Sequence, residues 1–192
     1  MLLTIGLVLA PPRTGWADAA EEDLDLLEEA FEAHTNSRFD EAVAIYTRLL
    51  ASERLEPPAQ AVVHLLRGQA LSDKGDCGSA ALDFSKAIEL REDYAHAFYF
   101  RSLCRQQMKS YADAWQDINK AVMLKPDKLL YQKNRALLAG LMGREAPPAP
   151  VAGKAAAASA GEKKAEPKPT GVLGFLRSRI SMLKSLIGLG KK

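Results

Sequence analysis

The sequence has few residues of the types that build metal centres and disulfide frameworks. Its 192 residues include two cysteines, Cys77 and Cys104, and three histidines, His34, His64 and His96. No two of these residues stand three or four positions apart, the spacing that places two ligands on one helix face, so we expect no metal site. No nucleophile is paired with a base, and there is no glycine-rich phosphate loop. The sequence therefore predicts a protein that is not an enzyme and needs no cofactor.

The chain also lacks an excess of charge of one sign. Its formal net charge of +2 excludes a uniformly basic nucleic-acid binder, and we expect no nucleic-acid partner. The charges are unevenly distributed, however. Residues 20–143 have 15 basic and 20 acidic side chains, whereas residues 144–192 have 10 basic and 3 acidic ones. The two parts are expected to attract each other.

No apolar run near the start is long enough for a comfortable membrane span. Residues 2–10 form a short run typical of a signal peptide, and Ala17-Asp18-Ala19 matches a cleavage site. We therefore expect residues 1–19 to be a signal peptide and the protein to be periplasmic, or membrane-associated on the outer side. Because no basic residue precedes the run, an uncleaved anchor or a start upstream of Met1 stay open. Without a signal peptide the expected location is the cytoplasm.

The composition changes after residue 143. Residues 144–170 consist mainly of Ala, Pro, Lys and Glu, with one branched aliphatic residue and no aromatic one. Such a segment has too little apolar surface to offset the entropy of ordering, so it is predicted to be a disordered linker with an end-to-end distance of roughly 30 Å.

Residues 171–192 differ again, since they carry five basic side chains and no acidic one. At 100° per residue the apolar side chains fall within about half of the circumference, which predicts a cationic amphipathic helix. These apolar residues are Val172, Leu173, Phe175, Leu176, Ile180, Met182, Leu183, Leu186 and Ile187. Such a helix can lie on an anionic membrane surface, dock in a protein groove or pack on its own fold. The residues expected to make these contacts are Phe175, Leu176, Arg177, Arg179, Ile180, Leu183, Lys184 and Ile187.

The middle of the chain contains an internal repeat. The segments 82–90 and 115–124 match, and small residues recur as Gly68 with Ser102 and Ala80 with Ala114. This pattern resembles the tetratricopeptide repeat, a helix-turn-helix unit with a period of about 34 residues. The resemblance implies an all-α, right-handed superhelix over residues 21–143. Its repeats are placed at about 23–56, 61–94 and 95–128, with a capping helix at 129–142. Residues 57–60 are expected to lengthen the connection between the first two repeats.

In this family the first helices of successive repeats line a groove that meets the ligand. Carried over position by position, the resemblance implies that the groove-lining residues are Leu24, Leu27, Phe31, Val62, Leu65, Gln69, His96, Tyr99, Leu103 and Gln106. The first five make an apolar strip suited to an amphipathic helix or an extended peptide, unless neighbouring repeats bury part of it. Some members clamp a peptide carboxylate with Lys, Asn and Arg. The corresponding positions here are Leu27, Phe31, Leu66, His96 and Phe100, so no such clamp is expected.

We therefore expect a non-enzymatic interaction scaffold of the cell envelope that binds a protein or peptide segment in its groove. The alternative is a peripheral membrane protein anchored by residues 171–192, with the repeats as a spacer or a unit of self-association. The cationic helix could also dock in the groove of its own chain, beside the seven acidic residues between Glu21 and Glu32. In an exported protein, Cys77 and Cys104 could form a disulfide between repeats; otherwise they are buried thiols.

Overall fold

The computed structural model describes residues 15–144, which form seven α-helices and no strand. The helices are α1 Gly15–Thr35, α2 Phe39–Ala51, α3 Pro57–Lys74, α4 Cys77–Leu90, α5 Ala95–Gln107, α6 Tyr111–Leu124 and α7 Leu129–Leu141. The predicted all-α repeat architecture is confirmed. The expected linker from residue 145 onward and the expected C-terminal helix lie outside the described residues, as do residues 1–14. The expected cleavage point after Ala19 falls inside α1. Within residues 15–144, no helix is both long enough and apolar enough to cross a bilayer.

Each helix packs on the next one along the chain, and α3 also contacts α5 directly. The helices therefore pair as α1 with α2, α3 with α4 and α5 with α6, and α7 follows. We call the side formed by the first helices α1, α3, α5 and α7 the inner face.

The connection before α3 differs from the expectation. Pro57 and Pro58 form the first turn of α3 instead of extending the loop. A proline at the start of a helix has no N–H to leave unpaired and has a φ angle that suits the helix, which explains the longer helix. The side chain of Gln60 then donates to the carbonyl oxygen of Leu55 at 2.8 Å.

Every first helix ends in the same turn. A residue one or two positions after the helix has a positive φ, and the N–H of the residue that follows it donates to a carbonyl oxygen five residues back. The residues with positive φ are Ser37, Gly75, Lys109 and Gly143, at φ 61°, 98°, 61° and 64°. The hydrogen bonds run from Arg38 to Ala33, Asp76 to Leu71, Ser110 to Arg105 and Arg144 to Ala139, at 2.8–2.9 Å. After α1, α3 and α5, this turn leads directly into the second helix of the pair.

Close contact within a pair depends on small residues. A β-carbon built on Gly68 of α3 would lie 2.7 Å from Cε1 of Phe84 in α4. Ser102 and Ile118 occupy the same positions one repeat later, and both are fully buried. The small residue on the first helix therefore allows the bulky residue of the second helix to pack against its backbone.

Arginines join each pair to the preceding one. Arg67 donates to Asp83 of its own repeat at 2.7 and 2.8 Å, and to Thr47 of the previous repeat at 3.0 Å. Arg101 shows the same arrangement in the next repeat, with Asp117 at 2.7 and 2.9 Å and Ser85 at 2.8 Å. Both carboxylates are buried. Burial opposes ionisation of Asp83, but hydrogen bonds from Arg67 and a neighbouring histidine outweigh it and lower its pKa.

We expect Gly68→Ala to lower the free energy of unfolding by about 1–3 kcal/mol, because the added methyl group overpacks the contact with Phe84. Gly140→Ala is the matched control, since a β-carbon there meets no heavy atom within 4 Å. Removing this helical glycine should raise the free energy of unfolding by about 0.5–1 kcal/mol. Urea denaturation of both variants measures the two effects. Equal stability of the two variants would contradict the proposed packing.

Candidate peptide-binding face

The expected apolar strip on α1 and α3 is largely core. Leu27, Val62 and Leu65 are at most 1% exposed, whereas Leu24 and Phe31 are half-buried. The neighbouring helices cover the three buried side chains, so the expectation that they line an open groove is wrong. Leu24 and Phe31 are the part of the strip that a ligand can reach.

The remaining predicted groove residues form a more polar surface. On α5, His96, Leu103 and Gln106 are half-buried and therefore reachable. Gln69 of α3 is 7% exposed and Tyr99 of α5 is 8% exposed. Gln69 and Tyr99 are therefore buried, and on α5 the predicted residues that a ligand can reach are His96, Leu103 and Gln106.

Amide side chains mark the middle of the inner face. The Gln106 side-chain nitrogen donates to Oδ1 of Asn134 in α7 at 3.0 Å, and the Ser102 hydroxyl oxygen lies 3.4 Å from the same atom. The Oε1 atom of Gln69 is buried and has no hydrogen-bond partner among the described residues. Buried polar atoms in proteins are usually paired, so this acceptor has an unused capacity for a hydrogen bond.

Sequence reasoning missed Asn134. It is a polar residue at the position that holds Leu66 and Phe100 in the two preceding repeats. That change from apolar to polar is the signal that could have identified it.

A series of aromatic contacts runs through the interior from α4 to α7. The ring centroids lie 5.8 Å apart for Phe84 and Phe100, 5.3 Å for Phe100 and Tyr99, and 4.9 Å for Tyr99 and Tyr131. His96 meets Tyr131 edge-on at 5.9 Å. Burial, followed by the nearby Tyr99 and Asp127, raises the pKa of Tyr131. Its hydroxyl therefore keeps its proton. Such contacts hold rings rigidly and support a fixed surface.

His96 is neutral at pH 7. Burial lowers its pKa to about 4, and the positive charges of Lys125, Lys128 and Arg91 contribute in the same direction. His96, at one of the five expected clamp positions, therefore carries no charge at pH 7. At the other clamp positions, Leu27 and Leu66 are 1% exposed.

The other two histidines, His34 and His64, form hydrogen bonds between helices. His34 shares a hydrogen bond of 2.8 Å with Asp73, and His64 shares one of 3.0 Å with Asp83. Among residues 15–144, no group of three His, Cys, Asp or Glu side chains is placed to hold a metal ion.

Both cysteines are buried free thiols. Cys77 donates to Oε1 of Gln107 at 3.0 Å, and Cys104 donates to the Ser72 hydroxyl at 3.5 Å. Burial raises the pKa of Cys104 to about 12. The hydrogen bond to Ser72 acts against this shift, and the adjacent Cys77 adds to it. A thiol with such a pKa is unreactive at neutral pH.

The predicted contact residues Phe175 to Ile187 lie outside the described residues. Their roles stay predictions.

The fold is similar to several solved structures. The first TPR domain of human RPAP3 is 19% identical, with a TM-score of 0.59, and the match covers 65% of this chain and 94% of that one. The Sgt2 TPR domain of Aspergillus fumigatus is 25% identical, with a TM-score of 0.55, and the match covers 73% of this chain and 94% of that one. The described residues form a tetratricopeptide repeat domain.

Curated relatives also have a tetratricopeptide repeat. Hsc70-interacting proteins 1 and 2 of Drosophila melanogaster are each 29% identical over 111 residues, which is 58% of this chain. The match spans 28% of the length of each relative. No protein-family model matches the chain.

These tetratricopeptide repeat proteins correct the expected location. The expected periplasmic or outer-side location is contradicted by the proteins that this chain resembles, among them the Hsc70-interacting proteins and the TPR domains of RPAP3 and Sgt2. The short apolar run and small residues near the start are features that many sequences contain by chance, so they were a weak basis for export.

Protonation of His96 should destabilise the fold in acid. Its pKa is lower in the folded protein than the ordinary value of 6.5, so its contribution is complete above pH 6.5 and is lost as the pH falls toward 4. We expect protonation of this residue to lower the free energy of unfolding by about 3 kcal/mol between pH 7 and pH 4. Urea denaturation across that range should show a smaller loss for His96→Gln. Parallel curves for the two proteins would contradict this assignment.

The two thiols should react only when the domain unfolds. We expect a chromogenic disulfide reagent to label neither Cys77 nor Cys104 rapidly at pH 8 in the folded protein, because both are buried, and to label both in denaturant. A disulfide between them in peptides mapped without reduction would contradict the free thiols of the structure.

Proposed function

We propose that this chain is a non-enzymatic protein-binding module that holds an extended protein segment across its inner face. The unpaired, buried Oε1 of Gln69 carries the proposal. Gln106 and Asn134 lie on the neighbouring first helices of the same face, and they bond to each other. Together they form a row of amides from α3 to α7.

An amide side chain suits a peptide backbone as a ligand. Its oxygen accepts from an N–H and its nitrogen donates to a carbonyl oxygen, so one side chain can pair with both groups of a peptide unit. A buried acceptor without a partner costs about 1–3 kcal/mol. A backbone N–H donated by a bound segment would remove that cost for Gln69. Half-buried Leu24, Phe31 and Leu103 then offer sites for apolar side chains of the segment.

Similar domains support a peptide ligand. The first TPR of Spaghetti (RPAP3) is bound to the HSP90 peptide SRMEEVD, and the second TPR domain of human RPAP3 is in complex with the HSP70 peptide SGPTIEEVD. In this chain the clamp positions hold buried leucines, phenylalanines and a histidine that is neutral at pH 7. We therefore propose that this chain binds the segment through the segment's backbone, and that the terminal carboxylate of the segment contributes little to the affinity.

Selection from a displayed library of random heptapeptides tests the proposal. We expect the full chain to enrich peptides that bind equally well with a free or an amidated C-terminus. Gln69→Leu should weaken the binding of an enriched peptide by about tenfold, the effect of losing one to two hydrogen bonds to the backbone. Leu82→Ser on α4 is the control, because this leucine is 71% exposed and lies on a second helix.

Two results would contradict the proposal. One is an equal loss of affinity in Gln69→Leu and Leu82→Ser, which would place the ligand elsewhere. The other is a preference of tenfold or more for the free carboxylate over the amide, tested also with SRMEEVD, which would require a carboxylate clamp.

A further inference from the structure

The last described helix has an apolar outward face. Four leucines of α7 are more than half exposed: Leu129 at 60%, Leu130 at 58%, Leu137 at 61% and Leu141 at 54%. They fall on one side of the helix together with Ala136 and Gly140, and Lys133 is the one charged residue among them. The outer face of a helix that ends a repeat stack is normally polar, because it meets water. Four exposed leucines on one side indicate that another element covers α7.

The preceding repeats show what packs at these positions. Leu129 corresponds to Ala61 and Ala95, which are buried. Ala136 corresponds to Gly68, against which Phe84 of the paired second helix packs. The exposed side of α7 is therefore the side that a first helix presents to its second helix and to the next repeat.

The turn after α7 is also that of a helix pair. Gly143 has a positive φ, and the Arg144 N–H donates to the Ala139 carbonyl oxygen, as after the other first helices. The sequence that follows does not suit a second helix, however. Pro147, Pro148 and Pro150 come first, and residues 145–170 have no aromatic residue to take the place of Phe84. The covering helix has to come from another part of the chain or from another molecule.

We propose that residues 172–187 of the same chain cover the exposed leucines of α7. This segment has nine apolar side chains on one side at helical spacing, enough to pair with the four leucines. The 27 residues of 144–170 reach roughly 30 Å, and α7 is about 20 Å long, so the segment can lie along the whole helix. A tether of that length also keeps the segment at a local concentration on the order of a millimolar.

Charge distinguishes docking of this segment on α7 from docking on the acidic side of α1. Residues 171–192 carry five basic side chains, and α7 carries Lys133 and Arg135. Docking on α7 therefore brings like charges together, so salt should strengthen it. Docking beside the exposed Asp25, Glu29 and Glu32 of α1 would bring opposite charges together, so salt should weaken it. Those exposed α1 residues are acidic, whereas α7 exposes four leucines. Burial of the leucines stabilises docking more than attraction between exposed charges does, which favours α7.

Amide hydrogen exchange of the full chain tests the proposal. The variant Leu176→Asp/Leu183→Asp places two charges on the apolar side of the segment, and Ser178→Asp/Ser185→Asp places the same charges on its polar side. We expect amides of α7 to exchange about tenfold faster in the leucine variant than in the wild type, and to be unchanged in the serine variant. Amides of α1 should exchange alike in all three proteins.

A change on the other side of the contact gives an independent check. Leu137→Glu should release residues 172–187 and raise the exchange of α7, whereas Leu82→Glu, at a leucine of α4 that is also more than half exposed, should not. Both positions are on the surface, so neither variant depends on repacking the core. Protection of α7 should be unchanged or greater in high salt.

Several results would overturn the proposal. Equal exchange of α7 in the wild type and the leucine variant would show that residues 172–187 do not cover it. Protection of α7 that rises with protein concentration would show that a second copy covers it. Loss of protection of α1 in high salt or in the leucine variant would place the segment on the acidic side of α1.

Discussion

The contact between the Phe84 ring and the backbone at Gly68 sets the distance between the helices of a pair. A β-carbon at residue 68 would come within 2.7 Å of the ring, so the two helices approach more closely than two ordinary side chains allow. Ser102 and Ile118 repeat this pairing one unit later. Since each second helix fixes the position of its first helix, the first helices lie side by side and α3 contacts α5 directly. The inner face exists because of this spacing.

Polar contacts between repeats fix the position of each repeat relative to the preceding one. Arg67 and Arg101 each donate hydrogen bonds to two second helices, one in the same repeat and one in the preceding repeat. The linked side chains cannot slide past one another without leaving a buried carboxylate unpaired, which is costly. The resulting rigidity allows Gln69, Gln106 and Asn134 to stand at fixed positions on three different helices. A preformed row of donors and acceptors loses little entropy when it binds an extended segment.

The helix pattern could be predicted from the sequence because the small and bulky residues that fix it recur once in every repeat. Residues 57–60 were misjudged because a proline pair can either extend a loop or begin a helix, and only the packing of α3 decides. The groove was harder to predict. Positions such as Val62 and Leu65 face a ligand in some repeats and a neighbouring helix in others, since burial depends on how closely the next repeat approaches. Asn134 was missed because α7 was interpreted as a cap alone. The expectation of export depended on a short apolar run and three small residues near the start.

The side-chain amide resonances of the full chain offer the most direct measurement of the central claim. A heptapeptide selected for binding is added to isotopically labelled protein, and the amide signals are followed by NMR. The account predicts that the side-chain signals of Gln69, Gln106 and Asn134 shift on binding, whereas that of Gln116, exposed on the second helix α6, does not. Shifts confined to Gln116 and its neighbours on the second helices would contradict it.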